Sequence, residues 1–271
     1  MNILLLNYRY FVSGGPERYM FGIMDLLERR GHRVIPFSIA YRENIESEYS
    51  KYFAEPVGGA EGAWFKNLKL GPMQKLKMAG QVLYNREAKE KIHRVIREER
   101  IDIAYALQIV NRLYPSVVDG CVERNVPVVH RLSDFQYLCA NYKFFRDGHV
   151  CEECLHGAYY HGLIHRCMKG SLAVSGTRVL SMYLDRFRGT KNKIAAFVAP
   201  SRVVLNKMVE GGFPPRIMHH IPTFVSVADK TPVFEPGDYI LYAGAIDPFK
   251  GVRVLLDAYE AMRHRERVRL V

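Results

Sequence analysis

The chain has 271 residues, of which 48% are hydrophobic, 25% charged and 12% aromatic, and its formal net charge is +11. That composition supplies ample apolar surface for one large or two smaller globular domains and excludes an intrinsically disordered chain. No run approaches the roughly 20 apolar residues of a membrane-spanning helix, and the N-terminal MNILLL lacks the basic region and cleavage site of a signal peptide. A reducing cytoplasm is therefore expected, where stable disulfides are disfavoured. The positive charge reads either as a solvated basic surface or as attraction to an anionic partner.

In chain order, Ile3-Leu4-Leu5-Leu6 predicts a buried parallel strand. A loop with Ser13-Gly14-Gly15-Pro16-Glu17 follows, then an amphipathic helix over Tyr19–Arg30, with Pro16 suited to a first turn and Gly31 to a stop. Arg33–Ile39 is the next strand, which completes a βαβ unit. The alternation continues with a charged helix over Lys89–Arg100, a strand over Ile101–Leu107, a helix over Pro115–Arg124 and a strand over Val126–Leu132. Beyond a cysteine-rich stretch come a helix over Ser171–Arg188, a strand over Ile194–Ala199, a helix over Arg202–Glu210 and a short strand over Met218–Pro222.

Residues 226–238 hold two prolines and little helix or strand signal, so they read as an interdomain linker. A strand at Tyr239–Ala243, a loop over Gly244–Phe249, a helix over about Gly251–His264 and a strand opening at Val268 begin a second α/β domain. The expected organisation is a Rossmann-like parallel-sheet domain over 1–225, with a cysteine-rich insertion at 139–167, followed by the first βαβ piece of a second Rossmann-like domain over 239–271. The chain reads as a truncated two-domain protein.

Three stretches carry a family resemblance. They are Ser13-Gly14-Gly15-Pro16-Glu17-Arg18-Tyr19 with Gly31-His32-Arg33-Val34; Ala199-Pro200-Ser201 with Gly211-Gly212-Phe213-Pro214 and Ile221-Pro222; and Tyr239-Ile240-Leu241-Tyr242-Ala243-Gly244 with Lys250-Gly251-Val252 and Leu255-Leu256. In this order they resemble the retaining glycosyltransferases of family four, of the GT-B fold. The resemblance implies transfer of a sugar from a nucleotide-diphosphate donor to a glycan or lipid-linked acceptor in cell-surface polysaccharide biosynthesis, with no cofactor for catalysis.

It also implies site residues. Gly14 and Gly15 would border the donor diphosphate at a helix N-terminus, where backbone amides and the helix dipole favour anions; the plain alternative is a tight strand-to-helix turn. Lys250 resembles the diphosphate lysine that neutralises the leaving group, with Gly244 and Arg253 beside it. The arginine that often follows the strand glycine is replaced by Ala245. Val128-Val129-His130-Arg131-Leu132-Ser133-Asp134-Phe135 resembles the strand ending in His-Asp, with Ser133 in the histidine's place and Asp134 retained. Asp134 would bind a sugar hydroxyl or cap a following helix. His130 lies three positions earlier, on the opposite face by strand alternation, and is no substitute. Ser201 sits in the second stretch, on the ligand side. The acidic Glu-x7-Glu motif of the family would lie past residue 271, so little transferase activity is expected of this chain. A non-catalytic acceptor- or partner-binding module is the alternative.

Trp64 to Met78 interleaves four lysines with Trp64, Phe65, Leu68, Leu70, Met73, Leu76 and Met78. It reads as an interfacial segment for anionic lipid at the inner face of the membrane, or as a packed helix with a basic solvated side. No nucleic-acid-recognition motif is present. Cys139, Cys151, Cys154 and Cys167, spaced C-x11-C-x2-C-x12-C, fit structural zinc. Disulfides and unligated thiols remain open, and four interspersed histidines could replace a ligand. Cys121 reads as a buried small hydrophobe.

Overall fold

β1 (Asn2–Leu6) is buried almost throughout, as its unbroken apolar run requires of a central parallel strand. The computed structural model describes residues 1–56, 71–109, 112–227, 230–247 and 250–271. Two compact units are present, one of residues 1–144 and 151–225, the other of residues 145–150 and 226–271.

In the first unit β1 leads into α1 (Gly15–Arg29), which begins with Pro16 in its first turn and stops at Gly31 in the left-handed region (φ 81°). β2 (Arg33–Phe37) pairs in parallel with β1. α2 (Pro72–Leu83) and α3 (Arg86–Glu99) follow, the latter capped by Asn85 Oδ1, which accepts from Ala88 N at 3.0 Å. β3 (Ile103–Ala106), α4 (Ser116–Val122) and β4 (Val128–Arg131) extend the sheet on the other side of β1. Within the cysteine-rich stretch the first unit contributes the short α5 (His161–Ile164), while the two-stranded hairpin of β5 (Phe145–Arg146) and β6 (His149–Val150) is counted with the second unit. Then come α6 (Leu172–Arg188), β7 (Ala196–Ala199), α7 (Arg202–Glu210) and β8 (Met218–His220).

The six strands form one parallel sheet in the order β2-β1-β3-β4-β7-β8. A parallel bridge between Ile39 and Ala54 adds a vestigial strand beyond β2. Counted as the third strand, it gives the doubly wound Rossmann order, with the reversal between β1 and β3. Pro36 lacks a donor for an outer partner, and among the described residues the Ile39–Ala54 bridge, two residues past β2, is the pairing on that far side.

The core holds Leu4, Leu6, Ile35, Phe37, Ala104, Val128 and Phe197 on the strands, covered by Ile92 and Val95 of α3 and Val117 and Cys121 of α4. Each fully buried aliphatic side chain of this kind stabilises by about 1.5–3 kcal/mol. Cys121 is fully buried, and burial pushes its thiol up to about 12. His130 is likewise in the core: one ring nitrogen meets Tyr137 Oη at 2.7 Å and the other meets Leu107 O at 2.9 Å.

Residues 226–238 contain no helix or strand among the described positions. β9 (Tyr239–Ile240) pairs in parallel with β10 (Arg269–Leu270), and α8 (Val252–Glu260) connects them. The helix ends four residues before the expected His264, at a turn that includes a short 3-10 segment over Arg265–Arg267. No helix among the described residues is long and apolar enough to cross a membrane.

Candidate functional site

In an open parallel sheet, ligands bind outside the carboxyl ends of the strands, at the point where strand order reverses. Here that point lies between β1 and β3, and Asn7 builds it. Its backbone N donates to Phe37 O at 3.1 Å, its Oδ1 accepts from Gln108 N at 3.0 Å, and its Nδ2 donates to Arg9 O at 2.7 Å. One buried amide thus joins the exits of β2, β1 and β3. A polar residue directly after an unbroken apolar run is the signal that could have singled it out.

Gly14 and Gly15 open α1 on this edge. Gly14 is extended (φ −176°), and a Cβ there would sit at an ordinary 3.7 Å from Glu17 Oε2. A Cβ on the exposed Gly15 would meet nothing within 4 Å. The fold therefore does not require glycine at Gly15, and the space it leaves is open to a ligand approaching the first turn. Beside it, Glu17 is 1% exposed, its Oε1 has no hydrogen-bond partner, and Arg9 Nη1 lies 3.9 Å away.

Beyond β4, Arg131 fastens three segments. It donates through Nη1 to Ser133 Oγ at 3.1 Å and through Nη2 to Thr223 Oγ1 at 2.7 Å, and its guanidinium carbon lies 4.0 Å from the ring centroid of Tyr19 on α1. Tyr19 shares a 2.9 Å hydroxyl contact with Tyr105 of β3. Ser133 is thus an anchored hydroxyl next to the α1 entrance. Arg131, Tyr19 and Thr223 were not legible as site residues, because their partners are far apart in sequence.

Asp134 does not cap a helix. No helix follows it; Oδ1 accepts from Gln136 N at 3.0 Å in a turn, since Phe135 and Tyr137 are drawn into the core. Burial pushes its carboxyl up to about 6, against the opposing pull of the Gln136 amide and of Arg178. His130 is fully buried between Tyr137 and Leu107, and burial holds it down at about 4. Ser201 leaves β7 on the same edge and caps α7, accepting from Val204 N at 3.3 Å.

In the second unit Lys250 is exposed just before Gly251, which takes the left-handed conformation (φ 74°) at the N-cap of α8. Arg253 is exposed in the first turn, 3.6 Å from Asp257 Oδ1. The two cations therefore flank a helix start that offers free amides to an anion. Gly244 is exposed in the preceding loop, where a Cβ would meet Tyr242 Oη at 2.9 Å, and Ala245 O accepts from that hydroxyl at 2.8 Å.

The cysteines form no disulfide. Cys139 Sγ donates to Asn141 Oδ1 at 3.0 Å, Cys154 is buried with Ala140, Tyr159, Val179 and Met182, and Cys167 packs against that cluster. Cys151 is half-buried, and its backbone N donates to Phe144 O at 2.9 Å. Among the described residues, the His, Cys, Asp and Glu side chains whose ligand atoms converge within 4.8 Å are Glu153, His161 and His165, with no cysteine among them. In the basic segment over 64–78, residues 64–70 lie outside the described residues; the remainder opens α2, which packs against α6 and exposes Met73 and Leu76.

No family model and no curated protein matches the sequence. Among solved structures, HepE (Alr3699) of Anabaena, crystallised with UDP-glucose, is similar over 100% of this chain and 59% of its own, at 13% identity and a TM-score of 0.53. MurG of Acinetobacter baumannii is similar over 96% of this chain and 55% of its own, at 8% identity and a TM-score of 0.42. The chain thus spans somewhat more than half the length of these proteins. The likeness to HepE is one of fold: an α/β, Rossmann-like architecture of the kind found in GT-B glycosyltransferases.

Proposed function

We propose that the chain belongs to a GT-B glycosyltransferase resembling family four, one that transfers a sugar, a hexose by that resemblance, from a nucleotide-diphosphate donor to a glycan or lipid-linked acceptor in polysaccharide biosynthesis. The observation that carries the reading is the carboxyl edge of the sheet. The open glycine entrance of α1, the anchored Ser133 and the buried Asp134 follow β1 and β4 at that edge, and this supports the reading. The UDP-glucose held by the HepE structure supports a nucleoside-diphosphate sugar as donor.

In this reading the first turn of α1 borders the donor phosphates and the transferred sugar. Asp134 accepts a hydrogen bond from a sugar or acceptor hydroxyl; in the second unit, the family resemblance gives Lys250 and Arg253 the role of neutralising charge on a departing diphosphate. The anomeric bond breaks toward the diphosphate as the acceptor oxygen approaches. Ser201 and Gly244 shape the loops on the two units, and catalysis needs no cofactor.

Calorimetric titration of the purified chain with UDP-glucose, UDP and other nucleotide sugars tests the reading. Saturable binding of a nucleotide sugar, weakened about tenfold or more by Lys250→Ala, is expected. Absence of binding to every nucleotide sugar tried would overturn it.

A further inference from the structure

The stretch between Cys151 and Cys167 carries a second set of side chains that sugar transfer leaves unused. Glu153 Oε2 lies 2.9 Å from His161 Nδ1 and 2.7 Å from His165 Nε2. His161 and His165 are four residues apart on one helical turn, with His165 N bonded to His161 O at 2.9 Å, so both rings project from the same face. The rings stack at 11° with centroids 6.0 Å apart, and Tyr160 packs on His161 at 4.3 Å.

The backbone beneath these side chains is held in place by packing. A Cβ on Gly162 would lie 2.5 Å from Ala140 Cβ and 3.2 Å from Val179 Cγ2, so the turn bearing both histidines sits directly on its neighbours. Leu163 and Cys167 pack into the cluster of Ala140, Tyr159, Val179 and Met182. On the other side of the site, Lys207 of α7 holds Glu152, the neighbour of Glu153, at 2.9 Å. Three ligand atoms thus converge on a packed scaffold.

We propose that Glu153, His161 and His165 bind a divalent transition-metal ion of the zinc type. Two imidazole nitrogens and one carboxylate oxygen suit Zn²⁺, Co²⁺ or Ni²⁺ and disfavour Mg²⁺ and Ca²⁺, which require oxygen shells. Two histidines four apart on one helical face form a known chelating arrangement. The three side chains are 24–37% exposed, which leaves the remaining coordination position to solvent. The ring nitrogens that face Glu153, His161 Nδ1 and His165 Nε2, are the ones that would bind the metal. The proposed ligand set is two histidines and a carboxylate, distinct from the four cysteines of the same stretch.

The test is a competition titration of the reduced, chelator-treated chain with Zn²⁺ against a colorimetric zinc indicator. About one equivalent is expected, with no displacement by excess Mg²⁺. His161→Ala, His165→Ala and Glu153→Gln should each weaken binding about tenfold or more, while Cys151→Ser and Cys167→Ser leave it unchanged. Because a variant could fail to fold, the wild-type chain is also loaded with Co²⁺. Visible bands without thiolate charge-transfer absorption are expected. Thiolate absorption, loss of zinc in the cysteine variants alone, or no zinc binding at all would overturn the proposal.

Discussion

The guanidinium of Arg131 donates to Thr223 Oγ1 at 2.7 Å and so ties the end of β4 to the segment leaving β8, 92 positions later. With Tyr19 stacked beneath it at 4.0 Å, one side chain fixes the spacing between α1, β4 and residue 223 along the candidate ligand edge. Arg131 is 6% exposed. Arg131→Ala should therefore lower stability by about 1–3 kcal/mol through its unpaired partners and lost packing. Arg131→Lys should recover only part of this, because an ammonium cannot reach Ser133 and Thr223 in a planar fork. Urea denaturation of the two variants measures the difference; equal stability of all three proteins would contradict it.

Two glycines should respond in opposite ways. Gly15→Ala places a Cβ in open space at the start of a helix, so stability should stay within about 0.5 kcal/mol of the parent or rise slightly. Nucleotide-sugar binding should weaken, because that space is where a ligand would approach the backbone. Gly162→Ala drives a Cβ to 2.5 Å from Ala140 Cβ and should lower stability by about 1–3 kcal/mol. Thermal melts and calorimetry on the same samples separate the two behaviours.

Asp134 and His130 give the protein opposing pH dependences. The folded Asp134 carboxyl titrates at about 6 against a usual 3.8, so its favourable contribution is complete below 3.8 and is lost as pH rises through 6. His130 titrates at about 4 against a usual 6.5, so its contribution is complete above 6.5 and is lost as pH falls toward 4. Each shift corresponds to about 3 kcal/mol, and between pH 4 and 6 the two largely offset each other. Asp134→Asn should therefore stabilise the protein at pH 8 and leave a steep loss of stability on acidification. Urea midpoints from pH 4.5 to 8 follow this directly; parallel curves for parent and variant would refute it.

The exposed Met73 and Leu76 of α2 stand at the C-terminal end of the basic segment that resembles an interfacial anchor. Anionic phospholipid vesicles should sediment the chain at low salt and release it near 0.5 M, where the Debye length is about 4 Å. Met73→Asp with Leu76→Asp should reduce the bound fraction several-fold. Binding that is indifferent to both salt and these substitutions would leave the segment without a membrane role.

Most of the parallel sheet was legible because buried strands announce themselves as apolar runs and their helices as capped periodic segments. Arg202–Glu210 matches its expected bounds, and Ser171 caps α6 by accepting from Val174 N at 3.4 Å. What was not legible depends on distant partners: the Arg131 clamp, the amide of Asn7 and the convergence of Glu153 with His161 and His165. The turn at Asp134 belongs to the same class, since Phe135-Gln136-Tyr137-Leu138 looks locally helical until the core claims its aromatic rings. The hairpin, by contrast, has a local signal. Asp147 and Gly148 both take positive φ (47° and 81°) between β5 and β6, as an Asp-Gly hairpin turn does.

The rims of the main sheet carry a consequence for behaviour in concentrated solution. On one side Pro36 withholds an amide from any incoming chain and the Ile39–Ala54 bridge lies two residues past β2. On the other, β8 is only three residues long, and its last two, His219 and His220, are exposed imidazoles. Among the described residues, a foreign strand finds no long, flat, apolar template at either margin. The geometry that ends the sheet therefore also guards against edge-to-edge aggregation.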